Sequence, residues 1–462
     1  MLNVIFPHNG RLAANPATAA YMRWMASDYA EQQERYASLR RWYNGEHNVP
    51  LTDRQREYLA VDPLFEWSLN YLRLPVELCV ERLSIEGFDG PEGIGGEGGL
   101  IDEWWTSGRM DATQSQVHRA AIRDGDTYML VEWDDANGRP IFSHEPAHDG
   151  EEGMKVHYLS NLRREMTMAS KAWSESRFNE AGTVDTVQRL NLYLPDRVEK
   201  YENVGQGWVP YRENPSDPWP IPWPVGIIPV VHFRWRDDGG NWGESEQEPL
   251  IPLQMAINKA ALDEMETADK TGAQLLTLTG ATWPADAPTV RAGDVLSVSE
   301  AAASWGTVPP GDLSQLRERI SDYIVRMAQI AHIPLQYFQV SGQIASAETQ
   351  AADDSQLVAK VASEAVSLGN AWEDVMYIAL KLNQQYGNGR DLSRGENIET
   401  QWADFERVDA LALEERRANI LQALVASDVD LAGALALPAL GYTEEEQQRM
   451  LQSDTVREGL TQ

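Results

Sequence analysis

The chain has 462 residues, which is long enough for about three domains of typical size. Hydrophobic residues make up 42% of it and charged residues 24%, as in a folded protein and unlike a disordered one. With 71 acidic and 39 basic residues the formal charge is −32, which argues against tight duplex DNA binding through a basic surface.

The N-terminal part of the chain predicts helices. Apolar residues recur every three to four positions over 17–45 and again over 64–78, where Pro75 should kink the helix. The glycine-rich stretch 87–100 has no GK[ST] sequence, so it predicts a surface loop rather than a phosphate-binding loop. Helical spacing then returns over 101–124.

The central part predicts an antiparallel sheet. Residues 127–146 have the pattern of a β-hairpin around an Asp-Ala-Asn-Gly turn. Further strands are expected at 154–159, 186–194, 197–203 and 206–211. The proline-rich stretch 214–233 cannot be helical and predicts an extended connector that ends in a short strand, Ile227–Phe233.

The remaining part predicts long helices around a small β-rich insert. The expected segments are a helix over 251–271, a β-rich insert over 272–310, a helix from Asp312 to His332, a connection over 339–347, a helix over 348–385 and a largely helical tail over 400–462. Helices and antiparallel strands in separate stretches indicate the α+β class.

The long helix over 348–385 has apolar residues around much of its circumference. They are Leu357, Val361, Val366, Leu368, Trp372, Val375 and Ile378. Such a helix can pack inside one subunit or between neighbouring subunits, and the sequence leaves both possibilities open.

Motifs for catalysis or metal binding are weak in this sequence. His144 and His148 stand four residues apart and His157 follows, but Pro146 breaks the helix that would bring the first two together. There is no HExxH, GxSxG or Walker-type motif, and paired carboxylates are not diagnostic in a chain this acidic. We therefore predict a structural protein with no catalytic residue, no metal and no cofactor; an acidic secreted polysaccharide hydrolase stays an alternative.

The sequence also predicts where the protein is made. Cys79 is the only cysteine, so no internal disulfide can form. The N-terminal residues lack the pattern of a signal peptide, and the longest apolar run, 431–440, is too short to span a bilayer. We expect a protein made in the cytoplasm that works without a membrane.

Three pairs of sequence blocks, in order along the chain, resemble the portal proteins of tailed bacteriophages. They are RRWYNGEHNVPL (40–51) with NYLRLPVELCVERLSIEGFDG (70–90), GIIPVVHFRWR (226–236) with GESEQEPLIPLQMAINK (243–259), and IAHIPLQYF (330–338) with SGQIASAE (341–348). The positions that fit the first pair are Tyr43, Gly45, His47, Asn70, Arg82, Leu83, Glu86, Gly87 and Phe88. Trp42 departs from the family, in which a second Tyr is common at that place.

This resemblance implies the portal architecture of long helices, an α/β wing, a helical stem and a small β-containing clip. It divides the chain into a wing (1–250), a first stem helix (251–271), a clip (272–311), a second stem helix (312–338), a tunnel loop (339–347), a wing spine helix with its connector (348–399) and a crown (400–462).

The resemblance also implies a function. Portal proteins form a dodecameric ring at one capsid vertex, through which double-stranded DNA is packaged and ejected. The implied partners are further copies of the chain, the terminase large subunit, a head–tail adaptor, and the major capsid and scaffolding proteins. The alternative within phage biology is another head–tail joining or minor capsid protein.

Two sets of residues are the predicted contacts with DNA and partners. The predicted tunnel loop carries no charge, which suits weak, sequence-independent contact with passing DNA, and its DNA-facing residues are Gln339, Ser341, Gly342, Gln343 and Ser346. Trp283 and Trp305 in the clip are the predicted partner-binding residues.

Basic residues on the two stem helices have two possible roles. Lys259 and Lys270 lie on the first helix, and Arg317, Arg319 and Arg326 lie on the second. They either supply limited positive charge near the channel or pair with acidic residues across subunit contacts.

Overall fold

The computed structural model describes residues 30–46, 68–159, 165–178, 183–203, 208–271, 275–280, 304–308, 313–338, 347–387, 389 and 397–406. The chain divides into two compact units, one formed by Met1–Gly342 with Gln356–Phe405 and the other by Gln343–Ser355 with Glu406–Gln462. Within the second unit the structure describes the first turns of a long helix and residue 406. All other described elements belong to the first unit.

The described α-helices are α1 (Ala30–Asn44), α2 (Arg73–Val80), α3 (Leu100–Ser107), α4 (Met110–Asp124), α5 (Ile251–Thr271), α6 (Ser314–Ala331) and α7 (Ala347–Tyr386). Short 3-10 turns precede α5 at Glu248–Leu250 and follow α6 at Leu335–Tyr337.

The described strands are β1 (Ile85–Asp89), β2 (Asp126–Asp134), β3 (Arg139–Pro146), β4 (Gly153–Tyr158), β5 (Met166–Phe178), β6 (Val184–Tyr193), β7 (Arg197–Asn203), β8 (Trp208–Pro210), β9 (Ile221–Pro222), β10 (Val230–Arg234), β11 (Leu275–Thr279), β12 (Ser304–Val308) and β13 (Glu399–Trp402). Mixed helix and antiparallel sheet confirm the α+β class.

The strands form four sheets, and the described pairings are antiparallel apart from one isolated bridge. A three-stranded sheet has the order β10-β2-β3, and a six-stranded sheet has the order β4-β5-β6-β7-β8 with β9 beside β7. Two smaller sheets are the pairs β1–β13 and β11–β12. The expected meander over the central part is therefore confirmed.

The main core of the first unit surrounds Trp372 of α7. Its indole is fully buried, and its ring centre lies 4.9 Å from that of Phe233 and 5.3 Å from that of Trp105. The apolar residues of α7 that the sequence analysis singled out are buried in this core, except Val366. Packing inside one subunit thus accounts for most of the apolar surface of this helix.

A buried histidine joins α4 to this core. The indole Nε1 of Trp372 donates to Nε2 of His118 over 3.0 Å, so Nδ1 carries the proton and donates to the carbonyl oxygen of Leu83 over 3.2 Å. Burial lowers the pKa of His118 to about 4, which keeps the ring neutral, as these two hydrogen bonds require.

Several predicted elements have different bounds in the structure. Helix α2 begins at Arg73, so Pro75 lies in its first turn, where the missing N–H costs no hydrogen bond and causes no kink. The expected helix over 101–124 is two helices, because Arg109 adopts a left-handed conformation (φ 54°) between them. Residues Gly87–Asp89 belong to β1 rather than to the expected loop.

Strands β5 and β13, like β1, were not predicted. Strand β5 has no simple alternation of apolar and polar residues, and it is the central partner of β4 and β6. Strand β13 opens the tail that was expected to be helical, because it pairs with β1. The rest of that tail, from residue 407, lies outside the described residues, as do 17–29 and Asp312.

Gly243 is required where the chain passes beside the end of α4. A Cβ at this position would overlap the carbonyl oxygens of Gly125 and Trp235, which are backbone atoms and cannot move aside. The backbone N–H of Gly243 also donates to Asp126 over 2.8 Å. Any larger residue would therefore push this segment away from the core.

We expect Gly243→Ala to lower the free energy of unfolding by about 2–3 kcal/mol, the usual cost of overpacking a core. The control is Gly87→Ala, because a Cβ at Gly87 meets nothing within 4 Å. Urea denaturation, monitored by tryptophan fluorescence, measures the free energy of unfolding of both variants. Equal stability of the two variants would contradict the close approach at Gly243.

Candidate functional site

The predicted stem consists of two helices that flank a short β pair. Helix α5 has the predicted bounds, 251–271, and α6 covers 314–331. Between them, β11 and β12 pair in the register Leu275↔Val308 to Thr279↔Ser304. The predicted order of helix, β insert and helix is therefore present in the structure.

Acidic residues of the same chain pair with two of the five basic stem residues. Nε of Arg317 lies 2.7 Å from Oε1 of Glu264, which links α6 to α5 near the β pair, and Nζ of Lys259 lies 3.4 Å from Asp263. Both basic side chains are exposed, so each pair contributes less than about 1 kcal/mol.

Of the other three basic stem residues, Arg319 and Arg326 lie on the exposed side of α6. The side chain of Lys270 lies outside the described residues. The two roles proposed for these three residues therefore both stay open.

The opposite end of α5 holds an extended segment of the N-terminal part through buried side-chain amides. Oε1 of Gln254 accepts from the backbone N–H of Tyr71 over 2.9 Å, and its Nε2 donates to the carbonyl oxygen of Leu69 over 2.7 Å. Oδ1 of Asn258 accepts from the N–H of Leu69 over 3.0 Å. Because Gln254 and Asn258 are fully buried, these bonds fix segment 69–71 against the base of the stem.

The segment that leads into α5 is a buried polar connector, Ser245–Gln247, which we call the stem root. Its three residues are at most 1% exposed. The backbone N–H of Glu246 donates to the carbonyl oxygen of Ile122 in α4, and Nε2 of Gln247 donates to that of Leu39 in α1. The stem root thus attaches the start of α5 to two helices of the N-terminal part.

The carboxylate of Glu246 is the electrostatic centre of the stem root. Its Oε1 lies 2.9 Å from Nζ of Lys360 in α7, and its Oε2 lies 3.0 Å from Arg236 and accepts from the indole N–H of Trp235 over 3.1 Å. A buried carboxylate needs such partners, because without them the cost of desolvation is large.

Lys360 connects this carboxylate to the second stem helix. Its Nζ also donates to the carbonyl oxygen of Ala331 over 2.7 Å, at the last residue of α6. The C-terminal end of a helix carries partial negative charge and free carbonyl oxygens, which a lysine satisfies. One ammonium group therefore ties α7 to the base of both stem helices.

A second buried carboxylate lies next to the stem root. Asp126 accepts from the hydroxyl of Tyr36 over 2.7 Å, from Nε2 of His232 over 2.8 Å and from the N–H of Gly243. Burial lowers the pKa of His232 although Asp126 acts to raise it, and its Nδ1 accepts from the hydroxyl of Tyr158 over 2.7 Å. This network joins α1, β2 and β10.

The histidines tested for metal binding have other partners. His144 lies in β3 with its Nε2 2.9 Å from the hydroxyl of Thr127, and Nδ1 of His148 accepts from the N–H of Gly150 over 3.0 Å. Within the described ranges, no group of three His, Cys, Asp or Glu side chains is placed to hold a metal ion. No helix in the same ranges is long and apolar enough to cross a membrane.

The predicted contact residues fall mainly outside the described residues. This is the case for Gln339, Ser341, Gly342, Gln343 and Ser346 of the tunnel loop and for Trp283 of the clip. The backbone of Trp305 lies in β12, opposite Leu278 of β11. The roles of all seven residues stay predictions.

Sequence reasoning did not identify the stem root as a site. Glu246 stands in the block GESEQEPLIPLQMAINK, which was noted only for its resemblance to portal proteins. The one hint in the sequence was that a charged residue, Glu246, stands close to the apolar positions of a predicted helix. This hint did not show that Glu246 is buried, because its partner Lys360 lies more than a hundred residues further along the chain.

Residues 23–414 match the model of the family described as "Phage portal protein, SPP1 Gp6-like". The chain belongs to this phage portal family. It is thus a structural component of a bacteriophage virion, and the resemblance noted in the sequence is confirmed.

Curated relatives carry the same description. A portal protein of Mycobacterium phage L5 is 23% identical over 361 residues, which cover 73% of this chain and 68% of the relative. A portal protein of Mycobacterium phage D29 is 22% identical over 410 residues, which cover 82% of this chain and 77% of the relative.

Similar solved structures come from gene transfer agent (GTA) particles. A chain from the neck of an empty particle is 12% identical, with 80% of this chain and 89% of that chain covered and a TM-score of 0.44. A chain from the virion of a native particle is 12% identical, with 80% and 88% covered and a TM-score of 0.40.

We expect Glu246→Gln to lower the free energy of unfolding by about 3 kcal/mol, since it leaves the buried ammonium of Lys360 without its carboxylate. Lys360→Met should cost less, because Glu246 keeps its contact with Arg236. The double variant should lose less than the sum of the two, because the contact between Glu246 and Lys360 is lost in each single variant and can be lost only once. Urea denaturation of the three variants measures this coupling.

The control for the same experiment is Lys259→Met, which removes an exposed lysine from a surface pair and should change the free energy of unfolding by less than about 1 kcal/mol. Strictly additive losses for Glu246→Gln and Lys360→Met would show that the two groups do not interact.

Proposed function

We propose that this chain is the subunit of a dodecameric ring at one capsid vertex, and that double-stranded DNA passes through the ring during packaging and ejection. The observation that carries the proposal is the match to the phage portal family over 23–414. The order of helix, β pair and helix in the predicted stem and clip supports it.

The charge of the chain fits a passage rather than a DNA-binding site. A formal charge of −32 repels phosphate groups, so DNA is not held by the bulk of the surface. In this proposal the uncharged tunnel loop, with Gln339, Ser341, Gly342, Gln343 and Ser346, touches the DNA backbone weakly and without regard to sequence. Arg319 and Arg326, exposed on α6, add limited positive charge.

The division of the chain follows the same proposal. Residues 1–250 form the wing, α5 and α6 the stem, 272–311 the clip, 348–399 the spine with its connector, and 400–462 the crown. Terminase and the head–tail adaptor dock at the clip, where Trp283 and Trp305 are the proposed contacts, and capsid and scaffolding proteins surround the wing. The protein is made in the host cytoplasm and ends in the virion.

Electron microscopy of the purified chain tests the ring. We expect closed rings with an axial hole that admits a DNA duplex, because head-to-tail contacts between identical subunits close into rings. Monomers alone would refute the proposal. Rings whose hole is much wider than a duplex would indicate a head–tail joining protein instead.

Deleting residues 340–346 tests the tunnel loop. We expect the variant to form the same rings, since α6 and α7 on either side of the loop are retained, and to fail in DNA packaging. Packaged DNA is measured as nuclease-resistant DNA in heads assembled with the variant and with the unaltered chain. A variant that packages normally would remove the DNA-contacting role from this loop.

A further inference from the structure

Helix α7 has an exposed face that carries few charges. From residue 356 to the end of the helix, the exposed side chains are Gln356, Ala359, Ser363, Val366, Asn370, Asp374, Tyr377, Gln384, Gln385 and Tyr386. Asp374 is the one charged residue among these ten. The run from Ala359 to Gln384, which we call the α7 stripe, follows helical spacing over about 38 Å. Lys381 lies in the same row and is partly buried, with its Nζ 5.4 Å from the centre of the Tyr377 ring.

The neighbouring long helix α6 shows what an ordinary exposed face of this chain looks like. Its exposed side chains are Ser314, Gln315, Arg317, Glu318, Arg319, Ser321, Asp322, Arg326, Gln329 and Ile330. Five of these ten are charged, against one of ten on α7. Depletion of charge is the compositional mark of the centre of a protein–protein contact, whereas a solvated helix face is normally rich in charge.

Two large side chains of the α7 stripe are held in water at a free-energy cost. Val366 is 65% exposed and Tyr377 is 40% exposed, although nearly every other large apolar residue of this helix is buried. Covering them removes apolar area from water and contributes about 25 cal/mol for each square ångström. The stripe therefore gains from a partner.

In the proposed ring, the partner available to the α7 stripe is a second copy of this chain. Each copy has a formal charge of −32, so two copies repel one another overall, but the α7 stripe holds one acid, Asp374, and one base, Lys381, and so adds no net repulsion. A head-to-tail ring also needs a different, complementary surface on the next copy. The chain exposes apolar side chains elsewhere that suit this purpose, namely Met255 on α5, Ile330 near the end of α6 and Leu335 in the turn that follows.

We propose that the α7 stripe packs against a second copy of the chain. This inference rests on the proposed ring and names one of the contacts that close it. Leu357, Val361 and Trp372 on the other side of α7 hold the helix in the core of its own subunit. The helix thus lies between two packed surfaces, one within its subunit and one between subunits.

Photo-crosslinking of the full-length purified chain tests this contact. The chain has one natural cysteine, Cys79, which is fully buried, and burial raises the pKa of its thiol to about 12, so it does not react with a maleimide. A benzophenone maleimide is attached to Val366→Cys and, as a matched control, to Val184→Cys on strand β6, where the residue is 57% exposed. Denaturing gels then measure covalent multimers after irradiation.

The expected result is a ladder of covalent multimers from Val366→Cys that is several-fold stronger than that from Val184→Cys. If microscopy shows rings and Val366→Cys gives no more multimers than the control, the contact is wrong and the proposed ring stands. If no rings form, both proposals fail together. A crosslink from Val366→Cys to residues 407–462 within a monomer also overturns the contact, because the stripe is then covered by its own chain.

A charge substitution gives an independent measurement. Val366→Lys should lower the fraction of chain in rings, because it introduces a charge into the stripe, while Val366→Ala should keep most of that fraction. Circular dichroism of both variants should match the unaltered chain, since Val366 is exposed in the subunit. Rings formed equally well by Val366→Lys would overturn the contact.

Discussion

The arrangement of the long helices depends on the ion pairs of one buried carboxylate, that of Glu246, with Lys360 and Arg236. A carboxylate without solvent is tolerated only where cations and N–H donors replace the water that it has lost. Arg236, Trp235 and Lys360 supply them, and they come from the end of strand β10 and from α7. The need to satisfy one charge therefore fixes the start of α5, the end of strand β10 and helix α7 at a common point.

The same point controls the second stem helix through Lys360. Because Nζ of Lys360 also binds the last carbonyl oxygen of α6, both stem helices are held at their base by one buried group. Near the β pair they are joined by the Arg317–Glu264 pair, which is exposed and weak. In the proposed ring this gives a stem that is fixed firmly at the wing and lightly beyond it, at the end where the clip follows.

Helix α7 combines two kinds of surface that a ring subunit needs. Its buried side centres on Trp372, whose indole bonds to neutral His118 and packs on Phe233 and Trp105. Its exposed side carries the α7 stripe, which is proposed to contact a second copy. Because Lys360 lies on the same helix, α7 connects the proposed subunit contact with the stem root.

The sequence by itself determined the elements whose signal is local. The periodicity of 251–271 and 348–385, the turn of the 127–146 hairpin and the portal-like blocks gave the long helices, a sheet and the family. Only the tertiary structure decided that β1 pairs with β13, that β5 is a strand, and that Glu246 is buried beside Lys360. Each of these depends on a partner elsewhere in the chain, and the pattern of nearby residues carries no information about which distant group will satisfy a backbone edge or a charge.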